Sequence, residues 1–529
     1  VTESGAPLPA NTLQCITDRI TGLAGWRRAV CAIIAGAITA LGLAPFYALP
    51  LMAVGFSGLI VLIDGAKTAA RPHWTAFGVG WFFGFGYFLV SVYWMAFSFF
   101  VQADQFAWMA PFAVMGMPAF LALFTGAATL LAARFWTVGW RRVLIFAVAW
   151  AVFEYLRGHI LTGLPWNLAG QALAGSAIGA QTAALYGAYG LSLVAVLLAA
   201  APAATFRSSR PYGGLIAMLA GTALLFAVGA VRLAMPEPEA DGENYLRIVQ
   251  PNIPQREKID PDMWARNFNR QLELSKGPAP ANGRIFVIWP ENGAPLLNEA
   301  ATALSVLSDT LPENAVLIAG AVRREWRDDG VARFFNSVAI VPETPDGRRA
   351  VAFYDKHHLV PFGEYLPFYG FLNAVGLAQL TPYGDAGFSA GAGPAVLNAG
   401  GPSFAPLICY EAIFPGRMYP KDERPAWLVT VTNDAWFGDT SGPRQHLDQA
   451  RLRSVETGLP MARAANTGIS ALIDGKGRIL ERVKLYESAR IEAALPPALA
   501  RPFYDRVGDW FFALMLGMSL AATCIRAKL

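Results

Sequence analysis

Ile285-Phe286-Val287-Ile288-Trp289-Pro290-Glu291 is an unbroken apolar run that leads straight into a carboxylate. Its β-branched and aromatic side chains suit a strand, and the lack of polar alternation predicts burial on both faces. Similar short runs recur at 246–249, 316–321, 337–341, 351–354, 406–409, 427–432 and 470–473. Between them, 261–275, 300–309 and 445–457 have amphipathic helical spacing. Buried strands mixed with helices predict a layered α/β domain over residues 245–495. It is either one large unit or two fused repeats of sheet, although no sequence repeat is evident.

Two other runs end on chemistry in the same way. Val351-Ala-Phe-Tyr-Asp leads into Lys356, and Leu407-Ile408 leads into Cys409, Tyr410 and Glu411. Ligand sites of open α/β sheets lie beyond the carboxyl ends of their strands. Three strands would thus deliver Glu291, Lys356 and Cys409 to one edge. A thiol is a weak nucleophile until ionised, and a neighbouring cation lowers its pKa. Lys356 is expected to supply that charge and, with a backbone N–H near Cys409, to hold a tetrahedral oxyanion. Glu291 is expected to take the thiol proton and return it to a leaving group, so that an ester or amide would leave its acyl group on Cys409.

Outside this domain the composition changes. Of 529 residues, 54% are apolar and 15% charged, and long apolar blocks fill residues 29–231. A membrane span needs about 20 apolar residues. Candidates lie at 29–46, 48–63, 74–101, 109–132, 143–155, 177–200 and 213–231, with an eighth at 509–525. Arg27 and Arg28 precede the first, Lys67 and Arg71 follow the second, Arg134, Arg141 and Arg142 the fourth, Arg207 and Arg210 the sixth, and Arg526 and Lys528 the last. Apart from Arg157 the intervening loops are nearly free of basic residues. The positive-inside rule then predicts a cytoplasmic segment at 1–28, both termini cytoplasmic, and the 245–495 domain on the outer side. No cleavable signal peptide is expected. The net charge of +4 gives no basic patch for nucleic acid. Gly80, Gly84 and Gly86 read as close helix packing. Glu154 and Arg157, three apart, are expected to pair on a helix face or to line a polar cavity.

The four cysteines are Cys15, Cys31, Cys409 and Cys524. By the predicted topology Cys409 alone lies outside, without a disulfide partner in the chain. His357 and His358 are adjacent and point opposite ways on an extended segment, with no further ligand at zinc-like spacing. Neither a metal nor a cofactor is expected.

Trp289-Pro290-Glu291, the run from Tyr354 and Lys356 to Gly363-Glu364-Tyr365, and Cys409-Tyr410-Glu411 resemble the Glu–Lys–Cys signature of the nitrilase superfamily. The fuller forms are similar to its membrane-bound branch, the apolipoprotein N-acyltransferases. Gln250 to Gln255, Asn433-Asp434-Ala435-Trp436, Asn466 to Ser470 and Glu154 to Trp166 support the likeness. It implies an αββα sandwich on about eight helices in a Gram-negative inner membrane, with the sandwich in the periplasm. It also implies a phospholipid donor, typically phosphatidylethanolamine, that acylates Cys409. The acceptor is the amine of a diacylglyceryl-cysteine at the N-terminus of an apolipoprotein. By the same motifs Glu364 assists the base, Tyr410 and Glu411 shape the pocket, and Trp289, Asn433 and Trp436 support it or bind substrate. One departure stands out: a Trp usual after the Lys is Ile259 here, and Trp264 is a candidate substitute. The apolar segment 365–380 is expected to form an arm over the site, resting on the outer leaflet. A membrane-anchored amidase with water as acceptor, or a non-catalytic scaffold, are the rival readings.

Overall fold

The computed structural model describes residues 12–524 apart from 209, 241, 280–282, 298, 345–346, 349–351 and 375–386. Its strands are β1 (Asn244–Gln250), β2 (Arg284–Pro295), β3 (Ala315–Trp326), β4 (Ala332–Val341), β5 (Ala352–Asp355), β6 (Phe404–Ile408), β7 (Trp427–Thr432), β8 (Met461–Ala465), β9 (Ala471–Ile473), β10 (Ile479–Arg482) and β11 (Ala489–Ala494). They form two sheets, ordered β11-β1-β2-β3-β4-β5 and β10-β9-β8-β7-β6. In the first, β1, β2 and β3 run parallel and β4 and β5 follow antiparallel. The second repeats that scheme, with β6, β7 and β8 parallel and β9 and β10 antiparallel. The fused-repeat alternative is therefore visible in topology where sequence gave no sign of it.

The two-sided burial expected of β2 is divided by strand period. Phe286 and Ile288 join Leu246, Ile318, Ile408, Trp427 and Val429 in a core between the sheets. Ile285, Val287 and Trp289 pack the other way, with Leu272 of helix Trp264–Ser275 and Leu307 of helix Ala301–Thr310. Beyond the second sheet, Leu407, Leu428 and Met461 pack on Leu447 and Ala450 of helix Gly442–Thr457. The layers run helix, sheet, sheet, helix.

Helix Gly442–Thr457 departs from the expected amphipathic pattern: all its residues but Arg444 are buried. Its second side abuts the apolar half of the chain, so its polar groups find partners rather than water. Trp94 and Trp166 donate their indole N–H to Gln445 Oε1 at 3.1 and 2.8 Å. Tyr47 donates to Asp448 at 2.7 Å, Arg451 to Ala174 O at 2.7 Å, and Ala188 N to Glu456 at 2.8 Å.

Among the described residues, five helices of the apolar half are long and apolar enough to cross a membrane: Leu49–Ala66, Pro72–Ser91, Ala103–Arg134, Ala183–Thr205 and Gly213–Ala234. Gly25–Ala40, Trp140–Arg157 and Trp510–Cys524 are further helices on the remaining expected segments. The expected 74–101 span is interrupted: its α-helix ends at Ser91, and Tyr93–Phe100 turns as a 3-10 helix. That turn carries Trp94 to Gln445. Of the two expectations for Glu154 and Arg157, pairing fails, while both do line a small cavity with Phe88, Phe124 and Trp150. Glu154 accepts from Ala169 N at 2.9 Å and from Ser192 Oγ, while Arg157 donates to Leu164 O and Trp166 O, both at 2.7 Å. Both side chains also pin the loop that leaves their helix.

Candidate active site

Glu291 sits where β2 loses register. Pairing with β3 breaks between Trp289 and Ala294, and Asn292 takes φ +50. The bulge rests on Gly320 of β3, where a Cβ would lie 2.4 Å from Pro290 O and 2.5 Å from Glu291 Cα. Glycine lets the two backbones approach this closely. Lys356 follows β5 and is 1% exposed. Its Nζ lies 2.9 Å from Glu364 Oε2 and 3.9 Å from Glu291 Oε1. Asn336 of β4 joins the carboxylates, donating Nδ2 to Glu291 Oε1 and Glu364 Oε1, each at 2.7 Å.

Cys409 occupies the elbow between β6 and the 3-10 turn Cys409–Ile413, with φ +51, and is partly exposed. Burial of the thiol, and then the charge of Glu291, push its pKa well up, with Lys356 pulling the other way. The expected lowering by Lys356 is thus outweighed by burial and by Glu291. For Lys356, burial favours the neutral amine, but Glu364 and then Glu291 outweigh it and hold the ammonium above its ordinary range. Glu291, Lys356 and Cys409 are therefore within electrostatic reach of one another, as the strand-end reading expected.

The supporting residues fall into two groups. Glu364 touches the centre itself, bonded to Lys356 and Asn336, with Val360 N donating to its Oε2 at 2.8 Å. Tyr410 packs against His358 and Phe414, and its hydroxyl donates to Gly163 O at 2.7 Å, fastening the site to the apolar half. Glu411 acts as a strut: Oε1 accepts from Tyr354 and His357 N, and Oε2 from Ile408 N. It ties the Lys356 segment to the Cys409 elbow rather than opening onto a pocket. Trp289 is fully buried, bonds Ser275 Oγ at 2.8 Å and stacks edge-on to Phe268, so it supports β2 from behind. Asn433 is buried between Gln255 and Asn466. Trp436 is half-buried, its carbonyl accepting from Ser98. His357 and His358 diverge, the first to Tyr354 and Glu411, the second to Thr162 O and a stack on Phe414. Of the expected arm, helix Tyr369–Ala374 is present and residues 375–380 lie outside the described residues.

Asn336, Lys258 and His446 were not singled out by sequence. Asn336 left one signal, an amide amid the apolar run Phe334-Phe335-Asn336-Ser337. Lys258 donates Nζ to Glu291 O at 2.5 Å, and burial brings its pKa down to about 8 against the pull of Glu291 and Cys409. Trp264 and Ile259 are both exposed, and Trp264 lines a small cavity with Lys258, Gln271 and Asn292.

A buried Glu–Lys–Cys centre at the strand ends of a two-sheet sandwich defines a carbon-nitrogen hydrolase domain, and residues 246–504 match that family, described as Carbon-nitrogen hydrolase. Residues 35–201 match a second, described as Apolipoprotein N-acyltransferase N-terminal domain. An apolipoprotein N-acyltransferase of Rhodopseudomonas palustris is 39% identical over 518 residues, 95% of this chain and 96% of that one. One from Bradyrhizobium diazoefficiens is 42% identical over 510 residues, 94% of each. A solved CN-hydrolase superfamily protein of Xanthomonas campestris, 17% identical, covers 53% of this chain and 94% of its own with a TM-score of 0.34. The chain belongs to the apolipoprotein N-acyltransferase family.

Proposed function

We propose that the chain moves an acyl group from a membrane phospholipid through a thioester on Cys409 to the N-terminal amine of a diacylglyceryl-cysteine apolipoprotein. The observation that carries this reading is the buried Glu291–Lys356–Glu364 cluster beside Cys409, fastened to helices apolar enough to cross a membrane. Glu291 takes the thiol proton as Sγ attacks the ester carbonyl. The resulting oxyanion lies near the Lys356 ammonium and a backbone N–H of the elbow. Collapse expels the lysophospholipid alkoxide, which takes the proton from Glu291. The acceptor amine then attacks the thioester, loses a proton to Glu291, and leaves as an amide while the thiolate recovers its proton.

Phosphatidylethanolamine is the donor the family suggests. For topology we propose eight spans in a bacterial inner membrane, both termini cytoplasmic and the sandwich periplasmic. One end of the helices gathers basic groups: Arg28 donates to Gly65 O, Lys67 to Ala133 O, Arg142 pairs with Asp64 and Arg207 with Asp18. The sandwich bonds the other end, at Tyr47, Trp94 and Gly163. That separation supports the positive-inside reading.

The test incubates the purified enzyme with phosphatidylethanolamine and examines Cys409 by mass spectrometry for a hydroxylamine-sensitive acyl adduct, then adds a diacylglyceryl peptide. An adduct that moves to the peptide, and is lost in Cys409→Ala but not Cys524→Ala, is the expected result. No adduct, or release to water alone, overturns the proposal and in the second case favours an amidase.

A further inference from the structure

His446 lies on the fully buried helix Gly442–Thr457, 1% exposed, directly behind the Cys409 elbow. Its Nε2 is 3.1 Å from Cys409 O and its Nδ1 2.8 Å from Asp434 Oδ1. A carbonyl oxygen only accepts, so Nε2 carries a proton in this geometry whatever the ring's charge. Nδ1 then either donates to Asp434 or accepts from Arg463 Nη2 at 3.2 Å, and Arg463 also bonds Asp434 Oδ2 at 2.9 Å. The ring is thus fixed on both edges.

What it fixes is unusual. Cys409 has φ +51, a conformation that residues with a side chain rarely adopt and keep only when their surroundings over-determine it. Glu411 anchors the end of β6 one peptide earlier, accepting from Ile408 N at 2.8 Å, and His446 holds the peptide after Cys409 through Cys409 O. The peptide unit is planar, so fixing the Cys409 carbonyl also fixes the direction of the Tyr410 N–H.

We propose that His446 is a positioning residue for acyl transfer: its Nε2–H, bonded to Cys409 O, sets the elbow peptide and with it both the nucleophile and the adjoining backbone N–H donor. The inference rests on Cys409 being the acyl carrier. His446 reaches no substrate; it acts through the backbone of the residue that does.

Two near-isosteric substitutions separate the two edges of the ring. In His446→Gln the side-chain amide reaches the Nε2 position and can donate to Cys409 O; in His446→Asn it reaches only the Nδ1 position, toward Asp434. The full-length detergent-solubilised enzyme is assayed with mixed micelles of phosphatidylethanolamine, reading single-turnover acylation of Cys409, kcat, KM for the phospholipid and Tm. The expected result is kcat within about threefold of wild type for Gln, and a fall of about 10- to 100-fold for Asn at unchanged KM, since small misplacements of a reacting group have effects of that size. Wild-type kcat in His446→Asn, or equal slowing of both variants, overturns the assignment. If His446→Asn does not fold, a folded His446→Gln slowed more than tenfold overturns it and one within threefold supports it. Cys409→Ala is run alongside: activity there sinks the thioester reading, whereas an inactive Cys409→Ala with a fully active His446→Asn sinks only the role of His446.

Discussion

Lys258 keeps an ammonium where burial disfavours it, and its pKa falls to about 8. The folded chain therefore binds fewer protons at this site than the unfolded chain does between about pH 8 and the ordinary lysine value of 10.5. With the unfolded state holding more protons, stability rises with pH across that window. The rise attributable to Lys258 is on the order of 3 kcal/mol. Thermal midpoints of wild type and Lys258→Met, taken from pH 8 to 10, are expected to converge as pH increases, and parallel curves would refute the assignment. Asn336 invites a different test. Its one amide N–H pair of contacts holds Glu291 and Glu364 at fixed positions about Lys356. Asn336→Ala is expected to lower kcat by about 100-fold, the scale of losing a catalytic group's geometry. Unchanged turnover would show that Lys356 alone keeps the carboxylates in place. Neither residue belongs to the three-residue motif, which explains why the sequence did not flag them.

Two strand ends and one bulge explain how the motif residues find one another: Lys356 follows β5, Cys409 follows β6, and Glu291 sits where β2 loses register. The run from Ile285 to Trp289 predicted a strand buried on both faces, and the structure sends its side chains alternately to two cores. The bulge after it was not legible, because it depends on Gly320 from another strand. Gly320→Ala presses a methyl group on Pro290 O and Glu291 Cα; overpacking of this kind costs about 1–3 kcal/mol. The variant is expected to show a lower Tm and a lower kcat together, because the same shift moves Glu291. Loss of stability at full turnover would mean the bulge relaxes away from the site. Met461-Ala-Arg-Ala-Ala465 was missed as a strand because alanine favours helix, yet β8 is fully buried beside β7. Tertiary pairing overrode local preference there.

At the scale of the whole molecule, helix Gly442–Thr457 joins the halves: Gln445 serves tryptophans of the apolar half, and the next residue holds the Cys409 elbow. Gln445→Leu leaves the buried Trp166 indole N–H without its acceptor, at about 1–3 kcal/mol, while Trp94 keeps its bond to Ser91 O. We expect faster proteolysis at the junction and a lower Tm, and resistance equal to wild type would place the joint elsewhere. The sequence by itself determined the apolar helical half, the α/β domain, and Glu291, Lys356 and Cys409 as the candidate residues, because hydropathy and strand period are local and each candidate closes an apolar strand-like run. Only the tertiary structure decided the repeated sheet scheme, the burial that raises the pKa of Cys409, the turn of Glu154 and Arg157 onto their own loop, and the contacts made by Asn336, Lys258 and His446. Those depend on burial and on partners distant in the chain. A polar helix reads the same in sequence whether it faces water or, as Gly442–Thr457 does, another half of the protein.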